Sequence, residues 1–286
     1  MTRIGILVAM AAECRSLTPK RIPEGGCLEL DDGCIIGLSG AGPRAAQACC
    51  AALAEKGATS LISWGCAAAL APGMNPGDLV LPTRIACTDG IQIATDAEWH
   101  ARFSLLLNNH SHFADAGQWE RGRPAREQAG YAGRLPTPRG KFLHGALPVY
   151  SGVLVESDRI IAREDEKSAI FAATGAIALD MESAAAARAA DRFNLPFLAI
   201  RSIVDTVDVS IPPSIHNAFD ENGVLNVPKM FFRSLLHPAD FVGIIRLGRH
   251  FGAAMKTLGH VAAVGRENHF AGALKPQTLF PRPNPL

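Results

Sequence analysis

The sequence predicts an α/β fold: a single three-layer α/β/α domain with a mixed, mainly parallel central sheet and a C-terminal helical extension. Short apolar runs at 4–8, 34–38, 61–64, 78–81 and 197–204 alternate with Ala-rich stretches at helical spacing. Such alternation implies a covered, mainly parallel sheet. The stretch 176–208, AIALDMESAAAARAADRFNLPFLAIRSIVDTVD, contains a whole unit of this kind. Residues 176–179 read as a short strand, 182–193 as an Ala-rich helix and 196–204 as a second strand. With 286 residues, 48% of them hydrophobic, the chain can bury one large core.

The chemistry is concentrated where these strands end. In an open α/β sheet, ligands sit at the carboxyl ends of strands, and Asp180, Glu182 and Asp205 all fall there. Taken singly, Asp180 also reads as a helix cap and Asp205 as the start of a turn.

Composition restricts the partners. The net charge of +1 gives no global electrostatic case for nucleic acid. Seven cysteines, with no C-x-x-C pair and no His at ligand spacing, argue against a disulfide framework and against a zinc site. No metal is expected. Reduced thiols and a cytoplasmic location are the simpler account. Among the cysteines only Cys66 is placed near the pocket, as a small packing residue rather than a nucleophile. The opening RIGILVAMAAEC is too short in its apolar run for a signal peptide, and nowhere do about 18 apolar residues run uninterrupted, as a membrane span requires.

The pattern D-M-E-S-A-A-A followed by P-F-L-A-I-R-S-I-V-D resembles the purine nucleoside phosphorylase and nucleosidase family, and most nearly its methylthioadenosine/S-adenosylhomocysteine nucleosidase branch. Three further stretches are similar to that family in the same order: the opening strand with the acidic turn at Glu13; LSGAGPRAA at 38–46, like its glycine loop leading into a helix; and SWGCAAAL at 63–70 followed by MNPGDLVLP at 74–82, like its central strand, small-residue loop and following strand. The resemblance implies that Glu13 activates the attacking water, Met181 and Glu182 hold the ribose, and Asp205 protonates the base. It places Cys66, Ala67, Ile160 and Asp180 around the substrate and implies a homodimer or higher oligomer.

The chain also departs from that pattern. Cys66 and Ala68 replace a usual Ser and Gly, Trp64 is bulky for its place, and Ile160 stands where an adenine-stacking Phe is common. A polar stretch at 109–145 reads as an insertion, and the chain continues past the length of the compact nucleosidases. These departures resemble the hopanoid-associated phosphorylases, which act on adenosylhopane. The expected domain organisation is a catalytic domain over 1–228, an amphipathic helical extension over 229–270 and a Pro-rich tail over 271–286.

The resemblance implies cleavage of the N-glycosidic bond of a 5′-substituted adenine nucleoside, without a cofactor and with release of adenine: adenosylhopane in hopanoid side-chain synthesis is the expected substrate, and methylthioadenosine/S-adenosylhomocysteine hydrolysis is the alternative. Such cleavage passes through an oxocarbenium-like sugar and needs an acid at the base and a nucleophile on the opposite face. The nucleophile stays open between water and inorganic phosphate as co-substrate. For phosphate, Gly40 and Arg44 at a predicted helix start and Arg201 on the last strand are the candidate ligands. The alternatives are a surface charge for Arg44 and a structural ion pair for Arg201. A non-catalytic nucleoside-binding module is the other class of reading, disfavoured by the joint presence of Glu13, Glu182 and Asp205.

On a helical wheel over 239–258, Ile244, Leu247, Phe251, Ala254, Met255 and Leu258 share one face, and Arg246, Arg249 and Lys256 gather on the other. A helix of this kind either packs on the domain or a second subunit, or lies on an anionic membrane surface. Phe231, Phe232, Leu235 and Leu236 add an apolar patch suited to a lipid-linked substrate. Peripheral contact with the inner membrane is the corresponding expectation.

Overall fold

The computed structural model describes residues 3–110, 141–142, 147–209 and 240–272. The first strand shows how the sheet is built. In β1 (Ile4–Val8), Ile4, Ile6 and Val8 join one apolar cluster and Leu7 joins the cluster on the opposite face. Alternate side chains of a strand point to opposite faces, so a wholly apolar strand needs cover on both.

The cover comes from helices. After β2 (Cys27–Glu29) and β3 (Ile35–Leu38), helix α2 (Pro43–Glu55) buries Ala46, Cys49, Cys50 and Leu53 in the cluster of Leu7. Beside it packs α5 (Ser183–Phe193), whose buried face is almost entirely alanine. Side chains that short let both helices lie close to each other and to the sheet. The opposite face is covered by α3 (Ala97–His110) and by the long α6 (Asp240–Glu267) with its short continuation α7 (His269–Gly272). The result is a three-layer α/β/α domain, as the sequence predicts.

Strand β4 (Ser60–Ala69) is the centre of the sheet. It runs parallel to β1 on one side and to β12 (Phe197–Asp205) on the other, and its last residues pair antiparallel with β11 (Ala178–Asp180). Beyond β11 follow β10 (Val153–Glu156), β6 (Arg84–Ala86) and β7 (Gln92–Ala94). Beyond β12 follow β5 (Leu79–Val80), β9 (Val149–Tyr150) and β8 (Lys141–Phe142). The sheet is mixed, with its central pairs parallel.

Two expectations need adjustment. The small-residue loop expected after Trp64 is strand: Cys66 and Ala67 pair with Ser202 and Ile203 of β12, Ala68 pairs with Asp205 after a one-residue register shift, and Ala68 and Ala69 pair with β11. Alanine has little β propensity of its own, and here the ladders on both sides supply what propensity lacks. The C-terminal helix is a layer of the domain as well as an extension of it. Leu258, Val261, Ala262 and Val264 are buried in the same cluster as Trp64 and Trp99, and Ala254 is buried beside them on the helix. Thr257 Oγ1 donates to the Gly77 carbonyl at 2.7 Å, Arg266 reaches Asp32 at 3.0 Å, and Phe270 packs against the Trp64 and Phe103 rings. The wheel's apolar face thus packs on the domain at Ala254 and Leu258, with Leu247, Phe251 and Met255 half-buried. The side chain of Ile244, the 211–239 stretch with Phe231, Phe232, Leu235 and Leu236, most of the polar insertion and the Pro-rich tail lie outside the described residues. Among the described residues no helix is long and apolar enough to cross a membrane.

Candidate active site

The carboxyl end of β4 brings the predicted acids together. Glu13 lies on α1 (Ala11–Cys14), the single turn after β1, and is buried. Its Oε1 accepts the Cys66 N–H at 2.8 Å and its Oε2 accepts the Met10 N–H at 3.1 Å. Gly65 makes this possible, since a Cβ there would stand 2.6 Å from Oε1. Trp64 explains itself as a support of the same turn. Its Nε1 donates to Ser16 Oγ at 3.0 Å, and that hydroxyl donates to the Glu13 carbonyl at 2.6 Å.

Glu182 occupies the N-cap of α5 but turns its side chain elsewhere: Oε1 accepts the Gly42 N–H at 3.1 Å. Gly42 sits at φ 95°, a conformation that favours glycine, at the mouth of α2. The predicted glycine loop is therefore part of the site, held against Glu182. Burial raises the Glu182 pKa to about 7, helped by the charges of Asp180 and Glu13 and opposed by Arg201 and the Gly42 N–H. Burial also raises Glu13, against the pull of Arg201 and the two backbone donors. Three carboxylates thus share one buried guanidinium, and each proton retained relieves the excess negative charge.

Arg201 and Asp180 form the floor of this cluster. Arg201 Nε donates to Asp180 Oδ2 at 2.6 Å, its other nitrogens go to Ser63 Oγ at 2.5 Å and the Ile200 carbonyl at 3.1 Å, and the residue is buried. Ser183 Oγ donates to the same Asp180 oxygen at 2.6 Å, and its N–H donates to Oδ1 at 3.3 Å. In this arrangement the Asp180 carboxylate accepts the first N–H of α5 and pairs with Arg201, the local roles that the residue types also allow. Arg44 is exposed on the first turn of α2. Gly40 is buried, and the Glu24 carboxylate lies against it, 2.2 Å from where a Cβ would stand. The candidate phosphate ligands therefore do not converge: one faces solvent, one is paired and one is covered by an acid.

Asp205 ends β12, in register with Ala68, and is buried. Burial raises its pKa to about 6, with Asp208 adding to the rise and Lys167 and Arg246 opposing it. Lys167 Nζ stands 2.7 Å from Asp205 Oδ2. Met181 and Cys66 are half-buried, Ala67 is buried in the core, and Ile160 is half-buried in the loop after β10. Burial and the Glu13 charge push the Cys66 thiol far up, which suits packing and not nucleophilic attack.

The sequence matches the phosphorylase superfamily over residues 29–231. The chain belongs to that superfamily. This is the enzyme class, nucleoside phosphorylase or N-ribosyl hydrolase, that the sequence implies. Among solved structures, the methylthioadenosine/S-adenosylhomocysteine nucleosidase of Helicobacter pylori superposes with a TM-score of 0.59 at 17% identity, covering 94% of this chain and 97% of that one. The nucleosidase of Neisseria meningitidis gives 0.59 at 17%, covering 93% and 100%. Futalosine hydrolase of Helicobacter pylori gives 0.62 at 15%, covering 93% and 98%. At these identities the likeness establishes the fold. No curated protein matches the sequence.

One residue of this superfamily member escaped the sequence reading. Lys167 sits in E-D-E-K, at the start of α4 (Glu164–Thr174), and such a charge run reads as a solvated face. Its signal was positional. α4 buries Lys167 and Phe171, with Ile170 half-buried beside them, so the lysine occupies a place in an apolar row.

Proposed function

We propose that this enzyme hydrolyses the N-glycosidic bond of an adenine nucleoside, with water as the nucleophile. The observation that carries the reading is the Glu13 carboxylate, held by two backbone N–H groups at the strand end it shares with Glu182, where the nearest buried cation is already paired. An excess of negative charge favours a cationic sugar and opposes entry of a phosphate anion.

Each residue then has a task. Asp205 donates its proton to N7 of the purine, and a pKa near 6 suits an acid working close to neutrality. The C1′–N9 electron pair leaves with the base as a neutral purine. Glu182 accepts hydrogen bonds from the ribose hydroxyls and stabilises the oxocarbenium-like sugar. Water adds to C1′, and Glu13 takes its proton. Met181 offers the sugar a soft apolar surface.

Incubation with 5′-methylthioadenosine or adenosine in ¹⁸O-water tests this directly. Free adenine and ¹⁸O at the anomeric carbon, unchanged by added phosphate, is the expected result. Formation of a sugar 1-phosphate would overturn the choice of water.

A narrower reading concerns the 5′ substituent. On the N-terminal half of α6, Ile245 is 58% exposed beside exposed Arg246 and Arg249. An apolar residue flanked by cations fits a bilayer surface, which supports a nucleoside with a large apolar 5′ group, such as adenosylhopane. Cleavage of adenosylhopane in preference to 5′-methylthioadenosine tests that assignment.

A further inference from the structure

We infer that Lys167 is a positioning residue for the acid: it holds Oδ2 of Asp205 and the turn beyond it, so that Oδ1 alone is presented to the base. This rests on the reading of Asp205 as the proton donor. The geometry is specific. Lys167 is fully buried, and its Nζ reaches three oxygens, Asp205 Oδ2 at 2.7 Å and the carbonyls of Thr206 and Val209 at 2.8 Å each. An ammonium has three N–H donors and no acceptor: two donate to these carbonyls, and the charge meets Oδ2 as an ion pair. Two of them go to backbone of the turn after β12, which ties α4 to the segment that carries the acid. Among the described residues neither oxygen of the buried Asp205 carboxylate accepts an aligned hydrogen bond, and the close approach of Lys167 is to Oδ2, as an ion pair.

The same contact sets what kind of acid Asp205 is. Burial alone would keep the proton on the carboxyl too firmly, and the cation beside it makes release easier. Once the proton has passed to the purine, Lys167 faces the carboxylate that remains. The other charges around the group are Asp208 in the same turn and Arg246 on α6; His250, also on α6, hydrogen-bonds to the Val204 backbone one residue before the acid.

A thermodynamic cycle tests the coupling without any substrate. Thermal stability is measured from pH 4 to 9 for the wild type, Lys167→Met, Asp205→Asn and the double variant. In the wild type the contribution of Asp205 to stability falls as pH rises from the ordinary carboxylate range to about 6 and then levels off. In Lys167→Met the fall should continue at least about one pH unit further, and Asp205→Asn should abolish the difference. A kinetic arm follows adenine release from 5′-methylthioadenosine. Lys167→Met should lower kcat about tenfold or more with KM little changed, and move the alkaline limb of the rate profile up by a comparable interval. Lys167→Gln, which keeps a donor without the charge, should show the same displacement.

An unmoved midpoint in the cycle would overturn the inference. If Asp205→Asn alone retains full turnover, the acid assignment fails, whereas the cycle still reports whether the two groups are coupled. If neither neutral variant of Lys167 folds, the double variant with Asp205→Asn decides. Its recovery of a folded state supports the pairing, and its failure shows that Lys167 serves only the fold.

Discussion

The Glu13 carboxylate closes over Gly65: Oε1 accepts the Cys66 N–H at 2.8 Å, and a Cβ on residue 65 would come within 2.6 Å of that oxygen. Placement of the base therefore depends on a missing methyl group one residue away. Gly65→Ala should push the carboxylate off its backbone donors at a cost of about 1–3 kcal/mol in stability, and lower kcat about a hundredfold. Glu13→Gln, which keeps the shape but cannot take a proton, should lower kcat at least as much while inhibitor binding survives. Steady-state kinetics with calorimetric titration of a non-hydrolysable nucleoside analogue checks both, and wild-type turnover in Gly65→Ala would mean that Glu13 has room to spare.

Asp205 should behave as the proton donor of the leaving base. Asp205→Asn removes the proton but retains the volume, so turnover on an adenine nucleoside should fall by about 10² to 10⁴-fold while the fold persists. The measurement is single-turnover adenine release. Near wild-type rates would transfer the acid role to another group.

How much of this was legible beforehand follows from particular residues. Glu182 and Asp205 could be read because each follows an apolar strand, and Glu13 because it follows the first. Asp180 reads the same way, yet its oxygens belong to Ser183 and Arg201; sequence places a carboxylate at a strand end without saying which partner reaches it first. Lys167 was invisible for the converse reason. A buried cation announces itself only through the oxygens around it, and two of those are backbone carbonyls in a turn 39 and 42 residues away in the chain. In β4, Ala67–Ala69 carried no strand signal, and pairing with β11 and β12 supplied it. The strands β6, β7 and β10 were not read from the sequence either.

Glu182 should discriminate between sugars. If it grips the ribose hydroxyls, Glu182→Gln should cost ribonucleosides about 10²-fold more in kcat/KM than the matching 2′-deoxy compounds, because a contact the substrate lacks cannot be lost. Equal losses on both sugars would place its action elsewhere.

The same residue should make the fold sensitive to pH. Its pKa is about 7 in the folded protein against an ordinary 4.5, so between these values the folded state binds more protons than the unfolded one, and stability falls as pH rises. Glu182→Gln cannot ionise and keeps an acceptor for the Gly42 N–H. It should match the wild type near pH 4 and exceed it at pH 8, by on the order of 2 kcal/mol or about 4–8 °C in Tm. Calorimetry at the two pH values checks this, and a variant less stable than the wild type at pH 8 would contradict it.

The last prediction concerns the N-terminal half of α6. Its C-terminal half is committed to the core through Leu258, Val261 and Ala262, and among the described residues of the helix the apolar side chain most exposed to a surface outside the domain is Ile245. Arg246 is unsuited to a test, because its charge reaches Asp205 and a substitution there would disturb the acid. Ile245 and Arg249 are exposed and give a cleaner pair. If this segment rests on a bilayer, Ile245→Asp with Arg249→Glu removes apolar insertion and reverses a charge worth about 1 kcal/mol against anionic lipid. Sedimentation with vesicles containing anionic lipid should show the double variant released by tenfold or more relative to the parent. Cleavage of an adenine nucleoside with a membrane-embedded 5′ chain should slow correspondingly, while cleavage of a soluble nucleoside stays at the parent rate. Equal vesicle binding by parent and variant would remove the lipid surface from the account and leave the site as one for soluble nucleosides, since nothing in the Glu13, Glu182 and Asp205 geometry requires a bilayer.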